Sequence, residues 1–193
     1  MTQKNPLSNK RKPQILATTP IAHSQLFHIE AVDLLFANGE QRRFERMRPN
    51  NRQSVMIVPV HQQHLLLIRE YAVGIDAYEL GFPKGLVDHN EQIMQAANRE
   101  LQEEIGFAAN HWHHLATLTL APAYFSNTMT IVLAQQLYPQ QLIGDEPEPL
   151  EVVRWPINNM LALLQQEDFR EARNVSALFL SYHYLIQQGL VIN

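Results

Sequence analysis

Three glutamates, Glu100, Glu103 and Glu104, stand at relative spacings of 0, 3 and 4 in a segment whose pattern predicts a helix from Glu91 to Ile105. Residues three and four apart share one helix face, with Cβ atoms roughly 5–6 Å from one another. Like charges that close repel, and more strongly where they are partly desolvated. Ile93, Ala97, Leu101 and Ile105 form an apolar stripe beside them, which puts the carboxylates at the edge of a buried face. A hard divalent cation relieves such repulsion, and carboxylate oxygens are the ligands that Mg2+ takes. Glu-x-x-Glu-Glu alone is also the pattern of an ordinary solvated acidic face. What singles this one out is its register. Gly85 is followed by five residues and then Glu91; seven more lead to Arg99-Glu100-Leu101, then Gln102, Glu103-Glu104, Ile105, Gly106 and Phe107.

That register over residues 85–107 resembles the signature of the Nudix hydrolases. The resemblance implies cleavage of a pyrophosphate bond with Mg2+, or Mn2+ in its place. It assigns the metal to Glu100, Glu103, Glu104 and the backbone carbonyl of Lys84. Gly85, Glu91, Arg99 and Gly106 become supporting residues, each with a physical reason. Gly85 permits a tight loop. Glu91 sits in the first helical turn, where the dipole favours an anion. Arg99 can hold a carboxylate through a fork of hydrogen bonds. Gly106 supplies the left-handed residue that ends the helix. Catalytic acids and bases are sought among Glu103, Glu104 and the acidic loop Asp145-Glu146-Pro147-Glu148, with Glu146 and Glu148 the loop candidates alongside Asp145.

Those residues need a frame. Phe27 to Phe36 and Gln41 to Arg48 read as a hairpin across Asn38-Gly39, a strong turn dipeptide. Pro49-Asn50-Asn51 marks a boundary. Ser54–Val60 and His64–Tyr71 are near-continuous apolar runs, as in strands of a sheet covered on both faces. Residues 81–90 read as a loop, Leu115–Leu120 and Thr128–Leu137 as strands, and Glu151–Trp155 as a short strand. Val175, Leu178, Phe179, Tyr182, Leu185 and Ile186 define one face of a C-terminal helix that Gly189 stops. The fold class is α/β: by resemblance, a Nudix α/β/α sandwich with a mixed β-sheet, plus a small N-terminal antiparallel β extension. The division expected is 1–50, a tail and β-hairpin extension, and 51–193, the hydrolase domain.

The resemblance extends beyond the signature. Ser54-Val55-Met56-Ile57-Val58-Pro59-Val60, Ile68-Arg69-Glu70-Tyr71-Ala72-Val73-Gly74 and Tyr78-Glu79-Leu80-Gly81-Phe82 are similar to the strands leading into the signature of the ADP-ribose pyrophosphatase group. With Glu146-Pro147-Glu148-Pro149 and Ala172-Arg173-Asn174-Val175-Ser176-Ala177-Leu178, they liken nearly the whole chain to bacterial members acting on ADP compounds. The substrates implied are ADP-ribose, NADH and diadenosine oligophosphates, with AMP released. By the same resemblance, Pro122 occupies the place where ADP-ribose hydrolases have a proline, and Tyr124 the place where diadenosine polyphosphate hydrolases have a tyrosine. Arg46, Arg48, Arg69, Tyr71, Glu79 and Tyr124 are the implied substrate contacts, and residues 1–50 the implied homodimer contacts. Two positions depart from that group: Ala72 replaces a common arginine, and Lys84 a common alanine. Other nucleotides (triphosphates or capped RNA) stay open as alternative substrates, as does a non-catalytic nucleotide sensor.

Composition sets outer limits. The chain has 193 residues, a net charge of −4 and no cysteine, which excludes disulfides and thiolate metal sites and suits a reducing cytoplasm. No global basic field favours a polynucleotide. No apolar run reaches the roughly 20 residues that span a bilayer. Met1–Pro13 is polar and basic, unlike a signal peptide, and reads as a flexible tail. Arg42, Arg43, Arg46, Arg48 and Arg52 crowd one segment, either a solvated strand face or a patch that meets phosphate. His111, His113 and His114 lack a coherent helical spacing and read as a surface loop.

Overall fold

Alternation along the central strands accounts for the two apolar cores of this chain. A computed structural model describes residues 10–50 and 52–191. Strand β4 (Gln53–His61) sends Val55 and Ile57 to one face and Met56 and Val58 to the other. Strand β5 (His64–Ala72) does the same with Leu66 and Ile68 against Leu65 and Leu67. Period-2 side-chain geometry requires this division, and two apolar faces require two covers. Helix α1 (Ile93–Glu104) closes one face with Ala96, Ala97 and Leu101. Helix α2 (Ala172–Gln187) and a 3-10 helix (Ile157–Gln165) close the other with Ile157, Met160, Leu163, Ala177, Leu178 and Leu185. The layers are therefore α/β/α.

The sheet also contains β6 (Ala77–Gly81), β7 (Lys84–Leu86), β8 (Phe107–Thr119), β9 (Thr128–Pro139) and β10 (Glu151–Pro156). Its order is β10-β5-β4-β9-β8, with β6 paired to β5 and β7 to β4. β4 and β9 run parallel while the other pairs are antiparallel, so the sheet is mixed. A separate antiparallel sheet holds β1 (Gln14–His23), β2 (His28–Leu35) and β3 (Gln41–Met47) in that order. By contacts the chain divides into one unit reaching to Asn50 together with Ala121–Ser126, and a second with Asn51–Leu120 and Asn127–Asn193. Among the described residues no helix is long and apolar enough to cross a membrane.

Several sequence expectations need correction. The N-terminal extension is three-stranded: β1 precedes the hairpin, and every one of its residues is exposed, so no alternation of burial marks it. Residues 1–9 of the expected tail lie outside the described residues. The segment 81–90 is not all loop, because β7 pairs Lys84 with Met56 and Gly85 with Val55. His111, His113 and His114 lie on β8, opposite Gln135, Leu133 and Val132 of β9, not in a loop. β8 ends the sheet order, where an edge strand tolerates polar side chains. On α2, Phe179 is 49% exposed, and the buried face instead runs through Asn174, Ala177, Leu178, Ser181 and Leu185. Small residues there bring the helix close to the sheet.

Candidate active site

Helix α1 owes its start to glutamine rather than to an acid. Gln92 is the N-cap, and Gln92 and Gln95 exchange side-chain bonds with each other's backbone. Glu91 thus precedes the helix and does not occupy its first turn. Its two oxygens instead take a fork from Arg99, Nε and Nη2 each at 3.0 Å, and Oε2 also accepts the Asp88 N–H. Hydrogen bonding to Arg99, ahead of the opposing burial, holds the Glu91 carboxyl below its ordinary value. Gly106, at φ 81°, ends the helix in the left-handed region.

Arg99 organises the carboxylates. Its Nη1 donates to Glu100 at 2.7 Å and Glu103 at 2.9 Å, and its Nη2 to the Leu86 carbonyl at 2.9 Å. Its pKa rises, chiefly through Glu91, against the cost of burial. Glu100 and Glu104 are both nearly buried. Burial pushes Glu100 upward, Arg99 opposes it, and Glu103 and Glu146 push further. Burial drives Glu104 up to about 9, with Lys84 pulling it down and Glu100 and Glu70 adding to the rise. Glu104 accepts the Lys84 peptide N–H at 3.0 Å.

Gly85 is needed for space, not for a left-handed turn. A Cβ there would lie 2.0 Å from Glu100 Cδ and Oε1. The Glu100 carboxylate thus rests directly on the β7 backbone, beside the Lys84 peptide that Glu104 holds. Glu103, Glu104, Glu146 and Glu148 line one groove of about 530 Å3. Tyr78 Oη donates to Glu148 at 2.6 Å, fastening the acidic loop to β6.

Among the described residues no three His, Asp or Glu side chains form a ready-made metal cluster. Arg99 accounts for this, since it draws Glu91, Glu100 and Glu103 to itself. The donor set nevertheless fits a hard divalent cation. It is all oxygen and crowded with acids, and burial, ahead of the opposing charge of Lys84, pushes Glu104 up to about 9, a rise that a bound cation would reverse. Glu100, Glu103, Glu104 and the Lys84 carbonyl would hold it.

The remaining residues singled out above are divided between the units. In the N-terminal unit, Arg46 Nε donates to Glu30 at 2.8 Å, and Arg48 lines a cavity with His23, His28 and Glu30. Tyr124 is exposed and its carbonyl accepts the Met47 N–H. In the second unit, Arg69 is bound to Glu151 at 2.6 Å and Asp168 at 3.0 Å, and Tyr71 Oη donates to Asp76. Glu79 takes Arg170 at 3.1 Å on one oxygen, while its other is buried without a hydrogen-bond partner.

The sequence reading missed Glu70, Tyr78 and Asn174, whose partners are distant in the chain. Asn174, buried on α2, accepts the Phe82 N–H at 2.8 Å. Only a glycine at 81 leaves room, since a Cβ would meet the Asn174 amide at 2.6 Å. An alanine at 174 strands a buried N–H, which costs about 1–3 kcal/mol. We expect Asn174→Ala to lower the urea midpoint correspondingly at unchanged m-value; an unaltered midpoint would show that this bond contributes nothing.

Residues 13–46 match the NudE-type Nudix hydrolase N-terminal domain, and residues 50–179 the NUDIX domain. The chain is 59% identical to the ADP compounds hydrolase NudE of Escherichia coli (strain K12), covering 94% of this chain and 97% of that protein. It is 22% identical to the ADP-sugar pyrophosphatase of Mus musculus, over 94% and 90% of the two chains. A crystal structure of an ADP compounds hydrolase superposes with a TM-score of 0.93 at 57% identity, covering 96% of this chain and all of that one.

Proposed function

The chain belongs to the Nudix hydrolase family, and on that premise we propose that it hydrolyses the pyrophosphate bond of ADP compounds such as ADP-ribose, NADH and diadenosine oligophosphates, releasing AMP. The observation that carries this reading is the Glu100–Gly85 contact beside Glu104. It sets two buried carboxylates against one stretch of backbone, a costly arrangement without a cation. The similarity to a hydrolase named for ADP compounds supports the substrate class.

A divalent ion, for which we propose Mg2+, supplies Lewis-acid neutralisation of the pyrophosphate and activation of the attacking water. The chain's own residues do the rest. Arg99 keeps Glu100 and Glu103 oriented, and the Lys84 peptide orients Glu104. The carboxylate that acts as general base and takes the proton from the attacking water is drawn from Glu103, Glu104, Glu146 and Glu148, which share one groove. Substrate contacts are proposed at Arg46, Arg48, Arg69, Tyr71, Glu79 and Tyr124. A homodimer through residues 1–50 belongs to the same reading. It is supported by the exposed Ile15, Leu16, Ile21, Phe27 and Phe44 of that unit. A cytoplasmic location, suited to a chain without cysteine, completes it.

The test is direct. The protein is incubated with Mg2+ and, in turn, ADP-ribose, NADH, diadenosine triphosphate, a nucleoside triphosphate and capped RNA, and AMP is quantified. We expect AMP from the first three. Its absence from all ADP compounds would refute the substrate class, and a nucleotide product from the triphosphate or capped RNA alone would reassign it.

A further inference from the structure

Lys84 is the sole lysine of the chain beyond residue 12. Its placement is unusual in two respects. Its peptide N–H is bound to Glu104, so its backbone is part of the carboxylate site. Its side chain leads elsewhere, to Glu70 Oε2 at 2.5 Å. Lys84 pulls on Glu104 electrostatically while Glu70 pushes on it, so the ammonium lies within range of both acids. Glu70, Ala72, Gly74, Lys84, Arg173 and Asn174 are among the residues lining a cavity of about 350 Å3 on that side of β7.

An anionic substrate brought to this cavity meets Glu70, Glu79 and Glu171 in its lining, and therefore needs a cation there. The arginines of this unit that contact those acids, or the metal-site carboxylates, are already engaged. Arg99 serves Glu91, Glu100, Glu103 and the Leu86 carbonyl. Arg69 is held by Glu151 and Asp168, Arg170 by Glu79, and Arg173 by Glu171. Lys84 is tied to a carboxylate that is 44% exposed. The Lys84 side chain is itself only 24% exposed and needs a partner for its charge, and exchanging Glu70 for a phosphate oxygen replaces one charge-assisted contact with another. An ammonium on a flexible stem acts as a point charge for phosphate and does not demand one fixed geometry.

We propose that the Lys84 ammonium is a substrate-phosphate contact, parked on Glu70 in the free protein and transferred to the pyrophosphate on binding. The inference rests on the pyrophosphohydrolase reading above and deepens it. One residue then joins the two halves of the site: its backbone faces the carboxylates and its side chain grips the group to be cleaved.

The experiment measures binding rather than turnover. Inorganic pyrophosphate is titrated calorimetrically, in Mg2+ buffer, into the wild type, Lys84→Met, Lys84→Arg and Glu70→Gln, each checked by thermal melting. Lys84→Met should weaken binding about tenfold, the size of one charge-assisted hydrogen bond. Lys84→Arg should restore most of it, and Glu70→Gln should bind as tightly as wild type or tighter, because the competing partner is gone. Wild-type affinity in Lys84→Met overturns the proposal, as does a wild type that fails to bind pyrophosphate. Equal losses in Lys84→Met and Glu70→Gln overturn it too, showing that the pair merely braces β5 against β7. The AMP assay is separate: unaltered pyrophosphate binding in Lys84→Met with AMP released by wild type removes this inference alone, and the reverse result removes only the substrate class.

Discussion

Glu104→Gln should lower turnover of an ADP compound about a thousandfold, the equivalent of roughly 4 kcal/mol of lost charge stabilisation by the bound cation, while leaving the fold intact. The reason lies in its burial. Glu104 is 8% exposed, and that burial raises its carboxyl to about 9, so without a cation the acid is protonated at neutral pH. A group whose folded pKa exceeds its unfolded value costs stability once the pH passes the unfolded value. Glutamine copies the protonated shape, can still accept the Lys84 N–H, and removes that cost. Thermal unfolding in metal-free buffer should therefore be unchanged or slightly higher. The second readout is the response to metal. A ligand that binds only the native state raises the melting temperature with its concentration, and that rise should be present in wild type and largely lost in the variant. A variant with wild-type turnover, or one whose melting temperature still climbs normally with Mg2+, would remove Glu104 from the ligand set.

The parts of this site legible in sequence are those where local spacing decides geometry. Glu100, Glu103 and Glu104 share a face because a helix turns every 3.6 residues, and β4 and β5 announced a doubly covered sheet because their apolar runs are unbroken. The invisible parts depend on chain approaches that no local pattern encodes. Asn174 reaches Phe82 across 92 positions, and Lys84 meets Glu70 across 14. β7 escaped notice because three residues that follow a proline and have a glycine at their centre carry no periodicity. β1 escaped because both its faces are exposed. Gly85 shows the difference within a single residue. Its position in the motif was plain, but its reason, the Glu100 carboxylate lying on its backbone, could be seen only once helix and strand were side by side.

That contact makes Gly85→Ala the sharpest test of how the site is assembled. The new methyl would fall 2.0 Å from Glu100 Cδ and 2.3 Å from Oε2, closer than atoms can approach. Glu100 is the end of a side chain and can swing aside, but doing so breaks its 2.7 Å bond to Arg99 and removes it from the crowd of acids. Overpacking of this kind costs about 1–3 kcal/mol. Displacing a metal-binding carboxylate should cost roughly 10- to 100-fold in metal affinity or rate. The two losses can be separated by combining Gly85→Ala with Glu100→Ala. The clash disappears, so the melting temperature should return to that of Glu100→Ala alone, while turnover stays low because the carboxylate is missing. Full activity in Gly85→Ala would mean that Glu100 does not need to lie on the β7 backbone. A double variant no more stable than Gly85→Ala would mean that the glycine is required for another reason.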